Sequence, residues 1–588
     1  MRRWLGSCAV VLALLATLVP GALARVAAAD RAVPPPLEQL FDNTAVSDDA
    51  RPHEADFDGA GASLSAQDLA AAGWTPDRVL TVQGARLTWP GWRAGEPDNV
   101  RADGQDVRVT GRGDALAFLV AGTGGGPVGG AGQVRYADGG RSTYVLTAPD
   151  WRTGPLATKA VALPHVNTPV GQLTGPARLY VVTVELPPDR EVVAVRLPRA
   201  PGLHVFALSV RDAGRGWTGS WAASTGGYPA VGPWTGRTLR LVVHVSAGGP
   251  RVRVRFDHTF AAAPVRIGSA TVAVQAAGAA ARRAPVPLSF GGAAGVEIPA
   301  GAQAYSDPLA FAVPSGANLL VSFHLPGTVA AAPVHRLAVQ RSYLSEPGDH
   351  TADGSAAAYT SVLSSWPLLT GVDVGGGPGS VVLLGDSITD GTGSTPDANR
   401  RWPDVLAARL RSQGEVPRYG VLNHGISGNR VVTDRYPGDG VSTDTAGVSA
   451  LNRFDRDVLA QTSVGTAVVF EGVNDLRAGT PAERVIAGLR RLAERGRARG
   501  LRMLAATILP CGGSAACTAA VDAERAAVND WLRGTRDFAA VLDFDAVLRD
   551  PARPSRMRPE YDSGDHLHPG DAGLAALAES VRLELLVP

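Results

Sequence analysis

Apolar and polar positions follow one pattern up to about residue 375 and another beyond it. Between residues 41 and 212 the apolar runs are short: Val107-Arg108-Val109, residues 115–120, residues 180–184. Gly, Pro and Asp split them, which is the pattern of short strands joined by tight turns. Residues 65–72 read as a single helical turn. A break at residues 212–216 leads into a second β-rich stretch, opened by Trp217-Thr218-Gly219-Ser220-Trp221. There Val252, Val254 and Phe256 alternate with Arg251, Arg253 and Arg255. Period two predicts a strand with one apolar face and one arginine row, read as a solvated sheet face with anion binding as the alternative. The stretch ends at Gly375-Gly376-Gly377.

From Ser380 the pattern changes. Residues 381–384, 419–422, 467–470 and 503–508 read as strands. Helical periodicity covers 402–411, 451–460, 481–499, 519–532 and 572–585. Buried strands alternating with amphipathic helices predict a parallel sheet covered on both faces. Chemistry in such sheets gathers at the carboxyl ends of the strands.

Composition narrows the function classes. The 588 residues exceed the ~250–300 that one core sustains, so several domains are expected. Glycine (70) and proline (43) stay below the ~25–30% that marks low-complexity chains. With 56 basic and 55 acidic residues the net charge is +1. That excludes a strongly basic nucleic-acid footprint and an acidic tail.

The N-terminus carries Arg2 and Arg3, then an apolar run over residues 5–18, then A-x-A patterns ending at Ala24 and Ala29. This predicts a signal peptide over residues 1–29, cleaved after Ala24 or Ala29, and a secreted product. The run is shorter than the ~20 residues of a spanning helix, so stable membrane insertion is not expected. Cys8 would leave with the signal. Cys511 and Cys517 remain, bracketing a glycine-rich loop. In an oxidising compartment such a pair reads as a disulfide. Two thiols without nearby histidine make a poor metal cage.

Four segments carry candidate chemistry. Gly385-Asp386-Ser387 follows the strand at 381–384 and places a hydroxyl past its carboxyl end. Ser563-Gly564-Asp565-His566-Leu567-His568-Pro569 offers a general base, His568, and a carboxylate three residues earlier, Asp565. On one turn that spacing brings both side chains to one side, with His566 pointing elsewhere. Asn423 to Asn429 contains Gly428, whose backbone N–H can approach closely. Glu471-Gly472-Val473-Asn474-Asp475 offers the Asn474 side-chain amide. Gly428 and Asn474 are the donor types that a developing oxyanion needs.

Taken together, Gly-Asp-Ser, the glycine block, Gly-x-Asn-Asp and Asp-x-x-His, in this order, resemble the marker blocks of the SGNH hydrolase superfamily, also called GDSL esterases and lipases. The resemblance covers residues 380–588, with Ile388 where the common form has Leu. It implies a flavodoxin-like, three-layer α/β domain. It also implies Ser387 as nucleophile, His568 as general base and acid, and Asp565 as its orienting carboxylate. The implied oxyanion hole comprises the N–H groups of Ser387 and Gly428 and the Asn474 amide. Asp386, Asp390 and Asp475 are expected to tie loops together. Arg400, Arg401 and Arg430 stand between substrate contact and surface pairing. No cofactor is implied.

The expected organisation is a signal peptide (1–29), a β-sandwich module with possible carbohydrate binding (37–212), a β-rich accessory module (213–374) and the hydrolase domain (378–588). The two all-β modules are of β-sandwich or jelly-roll type. On Trp217 to Ser224 and Ser342 to His350, the middle one resembles the module that precedes this domain in secreted actinobacterial proteins. On Phe41 to Asp49, Ala55 to Gly59 and Leu203 to Leu208, the first is similar to β-sandwich modules attached to secreted bacterial glycosidases. Trp74, Trp89, Trp92 and Trp151 are its candidates for sugar stacking or core, and the acidic residues near Asp48 for calcium. The leading expectation is a secreted serine esterase acting on an acylated polysaccharide or glycoconjugate. The alternatives are a lipase or phospholipase, and a catalytically silent carbohydrate-binding protein.

Overall fold

The computed structural model describes residues 33–588 except Trp92, Ala94 and Pro188. The expected signal peptide and Trp92 therefore lie outside the described residues. In the first β-rich region a seven-stranded sheet faces a four-stranded one. One of its inner strands, Ala115–Gly122, is buried along its whole length. Leu116, Phe118 and Val120 point into a core shared with Val134, Leu146 and Val195 of the smaller sheet. Ala117, Leu119 and Ala121 face the other way, towards Trp74 and Trp89.

Those two tryptophans frame a hairpin, Val79–Val82 with Ala85–Thr88, that crosses the boundary expected at 212/213. It extends a sheet of the middle region, where Thr81 pairs with Gln303. Trp74 donates its indole N–H to the Ala300 carbonyl at 2.9 Å. Trp74, Trp89 and Trp151 are fully or almost fully buried, so none of them is a sugar platform. The carboxylates near Asp48 are likewise engaged: Asp48 accepts from Ala50 and Gln67, Asp49 from Ser65 and Asn167.

The arginine row corrects the expectation of a solvated face. Arg251 is exposed, but Arg255 is buried and reaches Gln461 at 3.1 Å, and Arg253 pairs with Asp373 at 2.8 Å. Period two identified the polar face correctly; residues 460–462 cover it.

The C-terminal region holds five parallel strands: β1 (Ser380–Gly385), β2 (Gly420–Gly425), β3 (Val464–Phe470), β4 (Arg502–Ala506) and β5 (Ala540–Leu542). Their spatial order is β2-β1-β3-β4-β5. Alternate residues of β1 go to opposite faces. Val381 and Leu383 pack with helices α1 (Trp402–Ser412) and α4 (Asp571–Ser580). Val382 and Leu384 pack with α2 (Ala482–Ala498) and α3 (Ala519–Gly534). Residues 451–460 form a helix that widens into a π turn, Asp455–Leu459, rather than one regular element. Among the described residues no helix is long and apolar enough to cross a membrane.

Candidate active site

Register assembles the site. Gly385, the last residue of β1, pairs with Gly425 of β2 and Phe470 of β3. The segments beginning at Asp386, Ile426 and Glu471 therefore leave one sheet edge together. Asp386 caps the short helix Ser387–Asp390, its carboxylate accepting from the Ile388 N–H at 3.0 Å. Ser387 is thus the first helical residue, where a backbone N–H has no intrahelical partner.

The loop after residue 561 turns back against this edge. His568 Nε2 lies 2.8 Å from Ser387 Oγ, and His568 Nδ1 lies 2.6 Å from Asp565 Oδ2. The Asp565 carboxylate also accepts from the backbone N–H groups of Leu567 and His568 at 2.9 and 2.8 Å. Burial pushes the Asp565 carboxyl up, but the hydrogen bonds from His568 and the two backbone groups outweigh it and hold the pKa at about 2. The pairing does not arise on a helical turn. A bent loop closed by the bridge Asp562–Pro569 brings the two residues together, with Gly564 and His566 at positive φ. His566 pairs separately with Asp562 at 2.6 Å.

The expected oxyanion donors lie in the same cleft. Gly428 sits at φ +82°, a conformation that favours glycine, and a Cβ there would approach the Ala446 methyl to 3.1 Å. Asn474 donates one amide hydrogen to the Asn429 carbonyl at 3.0 Å, leaving a second for a ligand. Ser387, Gly428, Asn474 and His568 all line a cavity of about 730 Å³. Asp386, Asp390 and Asp475 hold loops: Asp390 accepts from the Ser427 N–H and hydroxyl, Asp475 from the N–H groups of Val431 and Val432. Arg400 pairs with Asp571, Arg401 with Asp404, and Arg430 donates to Thr433.

Residues outside every motif support this floor. Arg453, fully buried, donates to the Gly385 and His424 carbonyls and to Asn429, and pairs with Glu471 and Asp457 at 3.1 and 3.2 Å. Burial raises Asp386 to about 7, with the charges of Asp475 and Asp390 adding to it, and pushes Glu471 well up, with Asp386 and Asp475 adding to it; Arg453 opposes both. The middle region supplies Gly226, His335, Arg336 and Leu337 to the cleft wall. No sequence signal marked these, because each acts across a long separation in the chain.

Residues 383–576 match the model of the GDSL-like Lipase/Acylhydrolase family. The chain matches no curated protein. Among solved structures it is similar to a lipolytic protein of the G-D-S-L family from Desulfitobacterium hafniense, with 23% identity, 34% of this chain and 96% of that chain covered, and a TM-score of 0.27. It is similar to the acetyl xylan esterase AlAXEase, with 19% identity, 34% and 96% covered, and a TM-score of 0.26. A third is a catalytic mutant of an acetylxylan esterase from Geobacillus stearothermophilus, with 18% identity, 34% and 91% covered, and a TM-score of 0.26. The chain thus carries a large β-rich N-terminal region followed by a GDSL-like acylhydrolase domain, and the Cys511–Cys517 disulfide expected from sequence is present in that domain.

Proposed function

We propose that the chain is a secreted serine esterase that removes O-acyl groups from a polysaccharide or glycoconjugate through an acyl-enzyme. The observation that carries this reading is the run Ser387 Oγ, His568 Nε2, His568 Nδ1, Asp565 Oδ2, with contacts of 2.8 and 2.6 Å, opening into the cleft. The hydrolase domain is read as a three-layer, flavodoxin-like fold, and the β-rich regions as β-sandwich or jelly-roll modules that hold a polymer. The signal-like residues 1–29 and a disulfide suited to an oxidising compartment support secretion.

His568 Nε2 takes the Ser387 proton as Oγ attacks the ester carbonyl. Asp565 holds the other ring nitrogen protonated and stabilises the imidazolium. Negative charge developing on the carbonyl oxygen meets the N–H groups of Ser387 and Gly428 and the Asn474 amide. Collapse expels the sugar alkoxide, which takes the proton from His568. Water then attacks the acyl carbon and loses a proton to His568; the acyl–Ser387 bond breaks, His568 returns the proton to Oγ, and the acid leaves.

The test is Ser387→Ala on p-nitrophenyl acetate. Turnover falls by about 10³-fold or more while circular dichroism is unchanged. Wild-type turnover in the variant would remove Ser387 from the mechanism. A steep rise in rate from acetyl to long acyl esters would replace the polysaccharide reading with a lipase.

A further inference from the structure

The cleft around Ser387 has a charge imbalance that ester hydrolysis alone does not use. Arg336, Arg435 and Arg477 line it, together with two carboxylates, Asp390 and Asp444. Both carboxylates are already matched. Asp444 pairs with Arg435 at 2.9 Å. Asp390 pairs with His335 at 3.0 Å. The His335 ring nitrogens face only acceptors: the Ser224 carbonyl on one side, the Leu337 carbonyl and Asp390 on the other. Both nitrogens must donate there, so the ring is a cation.

Arg336 and Arg477 remain. Among the described residues neither has an ion-pair or hydrogen-bond partner. Arg477 Nε is buried without an acceptor in the protein, and the part-exposed residue lines the cavity with its charge unmatched. Arg336 is exposed but directly follows His335, so its backbone is fixed at the cleft wall by a ring held from both sides. The two guanidinium groups come from different regions of the chain and line one cavity with the nucleophile.

We propose that Arg336 and Arg477 recognise an anionic group carried by the polymer beside the ester, so that the substrate is an acylated acidic polysaccharide. This rests on the polysaccharide-esterase reading above. A planar guanidinium matches a carboxylate with two parallel hydrogen bonds, as a sugar acid requires. Hydroxyl and amide groups of Thr392, Ser427, Thr443 and Asn474 share the lining. Leu337, Ile426, Ala446 and Leu567 also line the cavity, but beside two unmatched guanidinium groups they favour a polar polymer over a long acyl chain.

The experiment compares acetylated polygalacturonate, acetylated glucomannan of matched acetyl content, and phosphatidylglycerol vesicles. Wild type is expected to show kcat/KM about tenfold or more higher on the acidic polymer, with the preference eroded by salt. In Arg336→Ala and in Arg477→Ala the acidic-to-neutral ratio falls about tenfold, mainly through KM, and the Lys variants recover part of it. Equal wild-type rates on the two polymers, variants that keep the preference, or faster cleavage of the vesicles overturns the proposal. p-Nitrophenyl acetate separates the two readings. If wild type hydrolyses it without preferring the acidic polymer, only this inference falls. If folded wild type hydrolyses none of these esters, the esterase reading falls and takes this one with it.

Discussion

His335 of the middle β-rich region and Asp390 of the hydrolase domain meet at 3.0 Å, both buried, at the wall of the cleft that contains Ser387. The second Asp390 oxygen accepts from the Ser427 N–H at 2.8 Å and the Ser427 hydroxyl at 2.6 Å. Ser427 directly precedes Gly428. The contact between regions therefore leads to one of the proposed oxyanion donors, and the β-rich region is part of the site's framework.

This pair should titrate. Burial pushes the His335 ring down, but the charge and hydrogen bond of Asp390, with the two carbonyls, outweigh it and raise the pKa. A histidine raised above its ordinary ~6.5 contributes stability that is full below that pH and is lost as pH rises through the raised value. His424, bonded to Ser224 Oγ, is the opposite case: burial lowers it to about 3, so its contribution is lost as pH falls below ~6.5. In His335→Gln, the stability difference from wild type should be largest below pH ~6.5 and shrink towards alkaline pH. The expected kcat loss is about tenfold, with KM little changed, because the loop is misplaced rather than substrate binding lost. A difference that does not vary with pH would show that the pair is not ionic.

Arg453 should be a dominant stabilising residue of the hydrolase domain. It ties the ends of β1 and β2 to Glu471, Asp457 and Asn429 with no exposure to solvent. Arg453→Met fills the space but leaves the buried Glu471 without its cation, while Asp457 keeps Arg456 at 2.7 Å. That imbalance costs about 3–5 kcal/mol. The measurement is the unfolding free energy from urea titration; a fall of less than about 1 kcal/mol would show that Glu471 does not depend on this cation.

The parts of this site that could be read from sequence are those written as contiguous segments at the ends of apolar runs. Gly385-Asp386-Ser387 and Asp565-His568 are of this kind, and β1, β3 and β4 are visible as short unbroken apolar stretches. β5 escaped because only Leu542 of its three residues is buried. Arg453, His335 and Arg336 escaped because their partners or their cleft belong to other parts of the fold. Alternation separates the faces of the strand Gly249–Asp257, but it carries no information about what covers the polar one. The same holds for Trp74 and Trp89: a tryptophan in a β-rich region reads equally as platform or core until the crossing hairpin buries it.

The Cys511–Cys517 disulfide spans a sequence separation of 6 with Cα atoms 5.8 Å apart. Its loop is held by the Gly512 N–H donating to the Ser555 carbonyl at 2.7 Å, and Gly513 lies against the His566 ring. Closing so short a loop is worth about 2 kcal/mol. Reduction should lower the wild type's unfolding free energy from urea titration by about that amount, and Cys511→Ser/Cys517→Ser should be insensitive to reductant. An identical midpoint with and without reductant would mean that the bridge adds nothing to the folded state.

The loop at residues 562–568 holds two histidine–carboxylate pairs with the same 2.6 Å contact, and only one of them touches the serine. This offers an internal control. Asp565→Asn keeps the shape but removes the charge that holds His568 Nδ1 protonated; an amide nitrogen donating to that atom selects the wrong tautomer. The expected loss in kcat on p-nitrophenyl acetate is about 10³–10⁴-fold. Asp562→Asn removes an equivalent charge from His566, whose ring is half exposed and makes no contact with Ser387. Its effect should stay within about tenfold and appear mainly as lower stability of the loop. Since Asp565 is held at about pKa 2, the acid limb of the wild-type pH–rate profile should not arise from its protonation above pH ~4. Equal losses in the two variants would show that the loop's fold, rather than the Asp565–His568 charge pair, limits turnover.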